Sequence, residues 1–503
     1  MSAALAGSVV VPLGGAVLAL VGGRRAAPWV AAVTAAVSLA LAGALALQVW
    51  RGGVVELEAG GWSVPLGIAM RADGLAAAML VLTAVVGAAV GTAAMSEFAG
   101  ERGRWARGDG FWPLWLLLWA AVAALVVSRD VFNVYVALEL AGLSAVGLVA
   151  MGGGRAALEG ALGYLLAAWL GATAYLLGVA LIYAETGTLD MVAMSGRVGD
   201  GPAATAALAL MSVGLLLKAA VVPLHFWLPR AHASAPAPVS AALSALVVTA
   251  AMVVLVRLWS EAMAGAVGAA AANLVGALGV VAIVWGSLLA MRQRSLKMLI
   301  AYSTVGQMGY LLLLIPLAAA PLARGGAGDR ATEDAWVGGT YYAVTHGVAK
   351  GAMFLAAGCL IAAAGGDRIA ALGGMAGRAP LAVAAFVVGG VTLVGLPPTG
   401  GFVAKWYLVS GSIRAGEPWW AVAVLAGSLL TAAYLLVVVR ALMYRGDRPG
   451  EDAPPREPGR VPGGMLVGAA ALALVCLALG LRPLEGIELL GVGIPAPAGG
   501  GGG

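Results

Sequence analysis

Apolar runs of about 20 residues, the length at which a helix crosses a hydrocarbon core of about 30 Å, recur along nearly the whole chain, each closed by charged residues, glycine or proline. Runs and breaks together predict helices at 4–21, 28–49, 72–94, 112–127, 130–150, 158–183, 204–222, 238–258, 268–290, 297–317, 337–364, 381–412, 420–441 and 463–481. The expected fold class is therefore an all-α polytopic membrane protein with about fourteen transmembrane helices. The first run lacks a basic leader and is followed at once by further spans, so it reads as a retained helix rather than a signal peptide. Residues 446–462 read as a solvated loop and 494–503, rich in glycine, as a disordered tail.

Two of the spans carry matching interruptions. Pro223 and Pro229 break the seventh, and the stretch Gly395 to Gly401, with Pro397 and Pro398, breaks the twelfth. They lie five helices apart, and a unit with an odd number of helices re-enters the membrane in the opposite sense. Helices four to eight and nine to thirteen are thus expected to be inverted repeats whose broken helices mark a transport region. The competing reading is that the prolines only kink helices for packing. The implied organisation is 1–111 for three N-terminal helices, 112–258 and 259–445 for the two repeats, and 446–503 for a loop, the last helix and the tail.

Composition changes the picture little but closes off alternatives. With 62% hydrophobic and 11% charged residues, against about half and about a quarter in soluble chains, no aqueous globule fits. Cys359 and Cys476 sit in apolar runs and offer neither metal spacing nor a disulfide framework. Neither a cysteine cluster nor a dinucleotide fingerprint is present, so no cofactor is expected and any electron chemistry belongs to other subunits. The net charge of +5 is not a nucleic-acid footprint, because topology accounts for the basic residues. Of 29 lysines and arginines, Lys218, Lys350, Lys405, Arg257 and Arg440 fall within spans; sixteen of the remaining 24, Lys297 among them, lie in loops after odd-numbered helices. The positive-inside rule then puts both termini on the non-cytoplasmic side of an inner membrane.

Charge inside the spans is the chemical signal. The chain has 25 arginines but four lysines, three of them in apolar runs. Arginine keeps its proton in essentially any surroundings, whereas a desolvated lysine amine can release it. Glu139, midway along the fifth span, is the one deep carboxylate. A charge at the bilayer centre costs roughly 2.5–3.5 kcal/mol on insertion scales, so four such groups need a function or partners. Phe132, Tyr135, Glu139 and Gly142 recur at helical spacing, which places the carboxylate beside polar and small residues on one face; a structural ion pair is the alternative. His346 precedes Lys350 by four residues and shares its helix face, as a relay pair requires. His232, near a loop, reads as a satisfied hydrogen-bonding group; His225 is compatible with either role.

These residues lie in ordered motifs: LLLKAAVVPLHFWLPRAHASAPAPVS around Lys218, LKMLIAYSTVGQMGYLLL at 296–313, THGVAKGAMFLAAG at 345–358 and GLPPTGGFVAKWYL at 395–408. The set resembles the proton-conducting membrane transporter family, the antiporter-like subunits of respiratory complex I, membrane-bound hydrogenases and Mrp-type cation/proton antiporters. The resemblance covers roughly residues 70–445. Within the family, HASAPAPVSA, TGTLDM at 186–191 and GGFVAKW look most like the D subunit of Mrp antiporters. It implies fourteen helices with two inverted five-helix repeats, a pairing of Glu139 with Lys218, a role for His346 and Lys350 on the eleventh helix, and Lys405 as the ionisable group of the broken twelfth. One position departs from the pattern. Where the family places a lysine eight residues before an arginine on the eighth helix, counting back from Arg257 reaches Thr249.

A threonine can hydrogen-bond water but holds no charge, so water and the His346–Lys350 pair must bridge the two halves if protons are to cross. Three functions follow: a proton-translocating subunit of a multisubunit cation/proton antiporter; a proton-pumping subunit of an NADH:quinone oxidoreductase or membrane-bound hydrogenase; or a structural subunit that has lost conduction. The expected partners are other membrane subunits, the lipid bilayer, protons and Na+ or K+, with no nucleic acid.

Overall fold

The computed structural model describes residues 3–64, 67–98, 107–323, 325, 328–444 and 459–495. In chain order its main elements are α1 (Ala3–Gly52), the strands β1 (Val55–Glu58) and β2 (Ala69–Ala72), α2 (Gly74–Glu97), α3 (Arg107–Val127), α4 (Val131–Ala150), α5 (Gly154–Thr186), the short α6 (Met191–Ser195), α7 (Pro202–Lys218), α8 (Leu228–Ser234), α9 (Ala237–Ala262), α10 (Ala269–Met291), α11 (Leu296–Ala323), α12 (Arg330–Ala364), α13 (Pro380–Val394), α14 (Gly400–Arg414), α15 (Pro418–Met443), α16 (Gly463–Leu481) and α17 (Leu484–Leu490). Among the described residues, eleven helices are long and apolar enough to cross a membrane. The first, α1, leaves helical space at Gly23 (φ 62°, ψ −167°) and so comprises two arms. The shorter α7 and α13 are continued after a break by α8 and α14. Counting both arms of α1, and each broken pair once, gives the fourteen passes expected from the apolar runs.

Helix ends follow capping chemistry rather than the edge of the apolar run. Asp73 accepts from Ala76 N at 2.8 Å to start α2, and Asp130 from Asn133 N at 2.7 Å to start α4. At the other end, Gly187 and Gly365 close α5 and α12 in the left-handed region. α5 accordingly runs to Thr186, past the predicted 183, whereas α12 ends at the predicted 364 and begins earlier than 337, at Arg330, where Asp329 caps it. The expected loop at 446–462 and tail at 494–503 fall mostly outside the described residues.

Connections gather by parity at the two ends of the bundle. Met70 bridges Ser128 and Asp130 bridges Asp190, while Ser295 bridges Arg368; the first two pairs join connections after even passes, the third after odd ones. The hairpin, with Val55 opposite Ala72 and Glu58 opposite Ala69, belongs to the even end.

The bundle is most enclosed at α9, whose apolar window is entirely buried, and at α11, where 94% of it is. Peripheral helices instead show apolar stripes outward, such as Leu158, Leu162, Leu166 and Leu170 of α5, spaced one turn apart. An apolar exterior costs nothing in lipid, where tails are as apolar as leucine. Two π-helical turns, Leu243–Val247 and Leu258–Ala262, interrupt α9, and a third, Ile315–Ala319, interrupts α11.

Candidate functional site

α7 ends at Lys218, and the chain unwinds through Ala219 to Trp227 before α8 begins. The break carries Pro223 and the positive φ of Ala220 (52°). Trp227 Nε1 donates to Leu217 O at 2.9 Å, satisfying one carbonyl that the interrupted helix frees. Lys218 Nζ reaches across to α4 and donates to Leu138 O at 3.0 Å. Gly142, one turn along α4, makes room for it: a methyl there would stand 2.8 Å from Nζ.

The expected pairing with Glu139 takes an indirect form. No salt bridge joins Lys218 and Glu139, although the carboxylate lies within electrostatic reach of the ammonium group; Glu139 Oε1 is buried without a hydrogen-bond partner among the described residues. The supposed common face of α4 also divides. Gly142 faces Lys218, whereas Phe132 is 43% exposed and shares the outer surface with Val136 and Leu143. Glu139 sits half-buried at the edge between the two. His225, inside the break, has its ring 6.3 Å from that of Tyr302, and its Nδ1 is buried without a partner.

At the centre, Thr249 Oγ1 and His346 Nδ1 are 3.4 Å apart, sharing a hydrogen bond whose donor depends on the imidazole tautomer. Thr249 follows the first π-helical turn of α9 by two residues. His346 Nε2 is buried and unpartnered, and nearby Ser244 Oγ and Thr304 Oγ1 are 2.9 Å apart. Four residues on, Lys350 Nζ donates to Ile300 O at 3.0 Å and to Ser303 Oγ of α11.

From there a polar cluster continues toward the second broken helix. Gln307, one turn beyond Ser303, donates from Nε2 to Thr431 Oγ1 at 3.2 Å and to Tyr434 OH at 3.0 Å, and its Oε1 accepts from Tyr342 OH. Lys405 of α14 donates to Ser428 Oγ at 3.0 Å and to the terminal carbonyls of α13, Leu393 O at 2.8 Å and Val394 O at 3.2 Å. The break at Pro397 and Pro398 exposes these carbonyls, and a cation at the negative end of a helix is favoured. Lys405 Nζ also lies 4.0 Å from the ring centroid of Tyr310. Gly395, with φ of 86°, lies against the Lys405 stem, where a methyl would be 2.7 Å from Cδ.

Ser303, Gln307, Tyr342, Ser428, Thr431 and Tyr434 escaped sequence reasoning, which looked for ionisable groups. A signal was present: Tyr342, His346 and Lys350 repeat every four residues, as do Ser303 and Gln307.

Two expectations fail. Lys297, assigned to a loop, is buried in the first turn of α11, so all four lysines lie inside the protein: Lys218, Lys297, Lys350 and Lys405 are 3, 8, 0 and 5% exposed. A position next to a loop in sequence lies under neighbouring helices in space. His232, expected to be a satisfied hydrogen-bonding group, is completely buried with neither ring nitrogen partnered among the described residues; its ring stacks on Phe354 at 5.0 Å. Other acids are enclosed at the end of the bundle rather than midway along a span. At the even end, Arg257 pairs with Asp73 at 2.7 Å, Arg71 with Glu261 at 3.4 Å, and Arg129 with Asp190 at 2.6 Å and Glu56 at 3.0 Å. This network ties the hairpin, α2, α9 and the connection before α4 together.

A buried line of ionisable and polar groups between two broken helices is the pattern of an ion-translocating class of membrane proteins, and comparison with known proteins gives the family. Residues 128–431 match the family described as NADH:quinone oxidoreductase/Mrp antiporter, transmembrane. The chain belongs to this family and is a multi-pass membrane protein. It is 35% identical over 493 residues to the NADH-quinone oxidoreductase N subunit of Desulforudis audaxviator, covering 94% of both chains. It is 27% identical to the Na(+)/H(+) antiporter D subunit of Bacillus subtilis, over 89% of this chain and 87% of the other. Its fold matches a chain of the Mrp complex from Dietzia sp. DQ12-45-1b with a TM-score of 0.86 at 26% identity, covering 99% of this chain and 98% of that one.

Proposed function

We propose that this chain is the proton-translocating subunit of a multisubunit cation/proton antiporter, passing protons along Glu139, Lys218, His346, Lys350 and Lys405, with His225 and Thr249 as auxiliary relay positions. The observation that carries this reading is the polar cluster from Thr249 to Lys405, linked by side-chain hydrogen bonds and ring contacts within an otherwise apolar bundle. Between Lys218 and the centre the relay needs water, which the unpartnered atoms of His225, Glu139 and His346 are suited to bind. Control is electrostatic. Glu139 lies within reach of Lys218 yet also borders the outer surface of α4, so a neighbouring subunit seated there would bias the charge on the lysine.

Proton flux into membrane vesicles tests this reading: Lys218→Ala and Glu139→Ala should abolish flux while the protein still assembles, and normal flux in both would end the proposal. A second reading, a proton-pumping subunit of an NADH:quinone oxidoreductase, is favoured by the 35% identity to an N subunit. Copurifying partners separate the two, small hydrophobic antiporter subunits for the first and iron–sulfur subunits for the second. The third reading, lost conduction, rests on Thr249; substantial flux in the parent protein, unchanged in Thr249→Lys, would remove it. We place the chain in the inner membrane with both termini on the non-cytoplasmic face, on the arginine bias of the odd connections.

A further inference from the structure

The relay described so far runs along the bundle's middle and leaves its opening to the odd end unassigned. Three observations converge there. His232 is wholly buried, yet Nδ1 and Nε2 both lack a hydrogen-bond partner among the described residues. A buried polar atom is almost always hydrogen-bonded, to water where protein offers nothing. The ring stacks on Phe354, one turn beyond Lys350 on α12. Lys297 Nζ donates to Ala235 O and, at 3.5 Å, to Ala233 O, carbonyls three residues and one residue after His232. Lys297 precedes by one turn Ile300, whose carbonyl accepts from Lys350. The charged groups facing His232 are thus Lys297 from α11 and Lys350 from α12, both within electrostatic reach of the ring. Beyond Lys297 lie Asp367, which accepts from Ser295 Oγ and Lys297 N, and Glu97.

We infer that His232 and Lys297 form the mouth through which protons pass between the odd-end surface, at Asp367 and Glu97, and the buried axis at Lys350. This rests on the proton-translocating reading above and supplies one of its two openings. The competing role for Lys297 is a fixed positive charge capping the carbonyl end of α8. Residue choice speaks against it: the protein uses arginine 25 times and lysine only at four buried positions. A static cap needs no proton release, and a guanidinium would serve as well. The static contribution of His232 is its stacking on Phe354; neither ring nitrogen has a hydrogen-bond partner among the described residues.

The test is initial proton flux in vesicles carrying the assembled complex with Lys297→Arg, Lys297→Gln and His232→Gln, beside Lys218→Ala as reference. A mouth predicts loss on the order of a hundredfold, the scale of a positioned proton-transfer group, in both Lys297 variants and in His232→Gln, at parental levels of assembled protein. A cap predicts rescue by arginine and loss only with glutamine. Parental flux in Lys297→Arg and His232→Gln, with flux still absent in Lys218→Ala, overturns the mouth and leaves the axis standing; parental flux in Lys218→Ala as well fails the functional reading itself. Should Lys297→Arg not assemble, His232→Gln decides alone, since no protein hydrogen bond is removed there.

Discussion

Replacing Gln307 by leucine keeps nearly the same volume and removes every polar contact of the side chain. Three hydrogen bonds disappear: those donated to Thr431 Oγ1 and Tyr434 OH and that accepted from Tyr342 OH. All four residues are buried, and a net buried hydrogen bond is worth roughly 1 kcal/mol, more when a partner is left unsatisfied. Thr431 keeps its bond to Gly427 O at 2.9 Å, so the penalty falls mainly on the two tyrosines, and about 3 kcal/mol of stability should be lost. The flux consequence is larger, because Gln307 stands between Ser303, which binds Lys350, and Ser428, which binds Lys405. Thermal unfolding of the detergent-solubilised protein, followed by size-exclusion, reads the first effect; proton flux in vesicles at equal protein reads the second. Gln307→Glu, which restores acceptors and can carry a proton, should recover flux. Parental flux in Gln307→Leu would refute the reasoning, because the second half of the axis would then run elsewhere.

Further outcomes follow from close packing and from the buried ion pairs. Gly142→Ala puts a methyl 2.8 Å from Lys218 Nζ, so the flexible ammonium end must shift from its place beside Leu138 O; little loss of stability but clearly reduced flux is expected, and normal flux would show that the position of Nζ does not matter. Asp73→Ala strips the partner from Arg257 and the cap from α2, costing about 3–5 kcal/mol as for other broken buried pairs. Thermal unfolding should show it, with Asp73→Leu combined with Arg257→Met recovering much of the loss; unchanged unfolding in the single variant contradicts the assignment.

How much of this was legible in the sequence depends on the kind of information needed. Passes were legible because the bilayer fixes a length that each apolar run must meet. The breaks were legible because proline and glycine act locally, at Pro223 and across Gly395 to Gly401. Lys218, Lys350, Lys405 and Glu139 stood out against apolar neighbours. What stayed hidden depends on which helices come together. Lys297 looks like a loop residue until the end of α8 covers it, and His232 looks satisfied until both of its ring nitrogens are found without partners. Gln307 and Tyr434 are unremarkable alone and become a connection only when α11 and α15 bring them within 3.0 Å. Glu139 beside Lys218 shows the converse: the resemblance implies a pair, whereas here the lysine binds the neighbouring carbonyl.

The central claim is that the buried lysines are present because they release protons, and one substitution addresses it most directly. Lys350→Arg keeps the positive charge and the donors to Ile300 O and Ser303 Oγ but removes proton release near neutral pH. Initial proton flux in vesicles with equal amounts of assembled protein should fall to the level of empty vesicles. Flux at the parental level in Lys350→Arg would contradict the account, since a fixed charge would then do all that the lysine does.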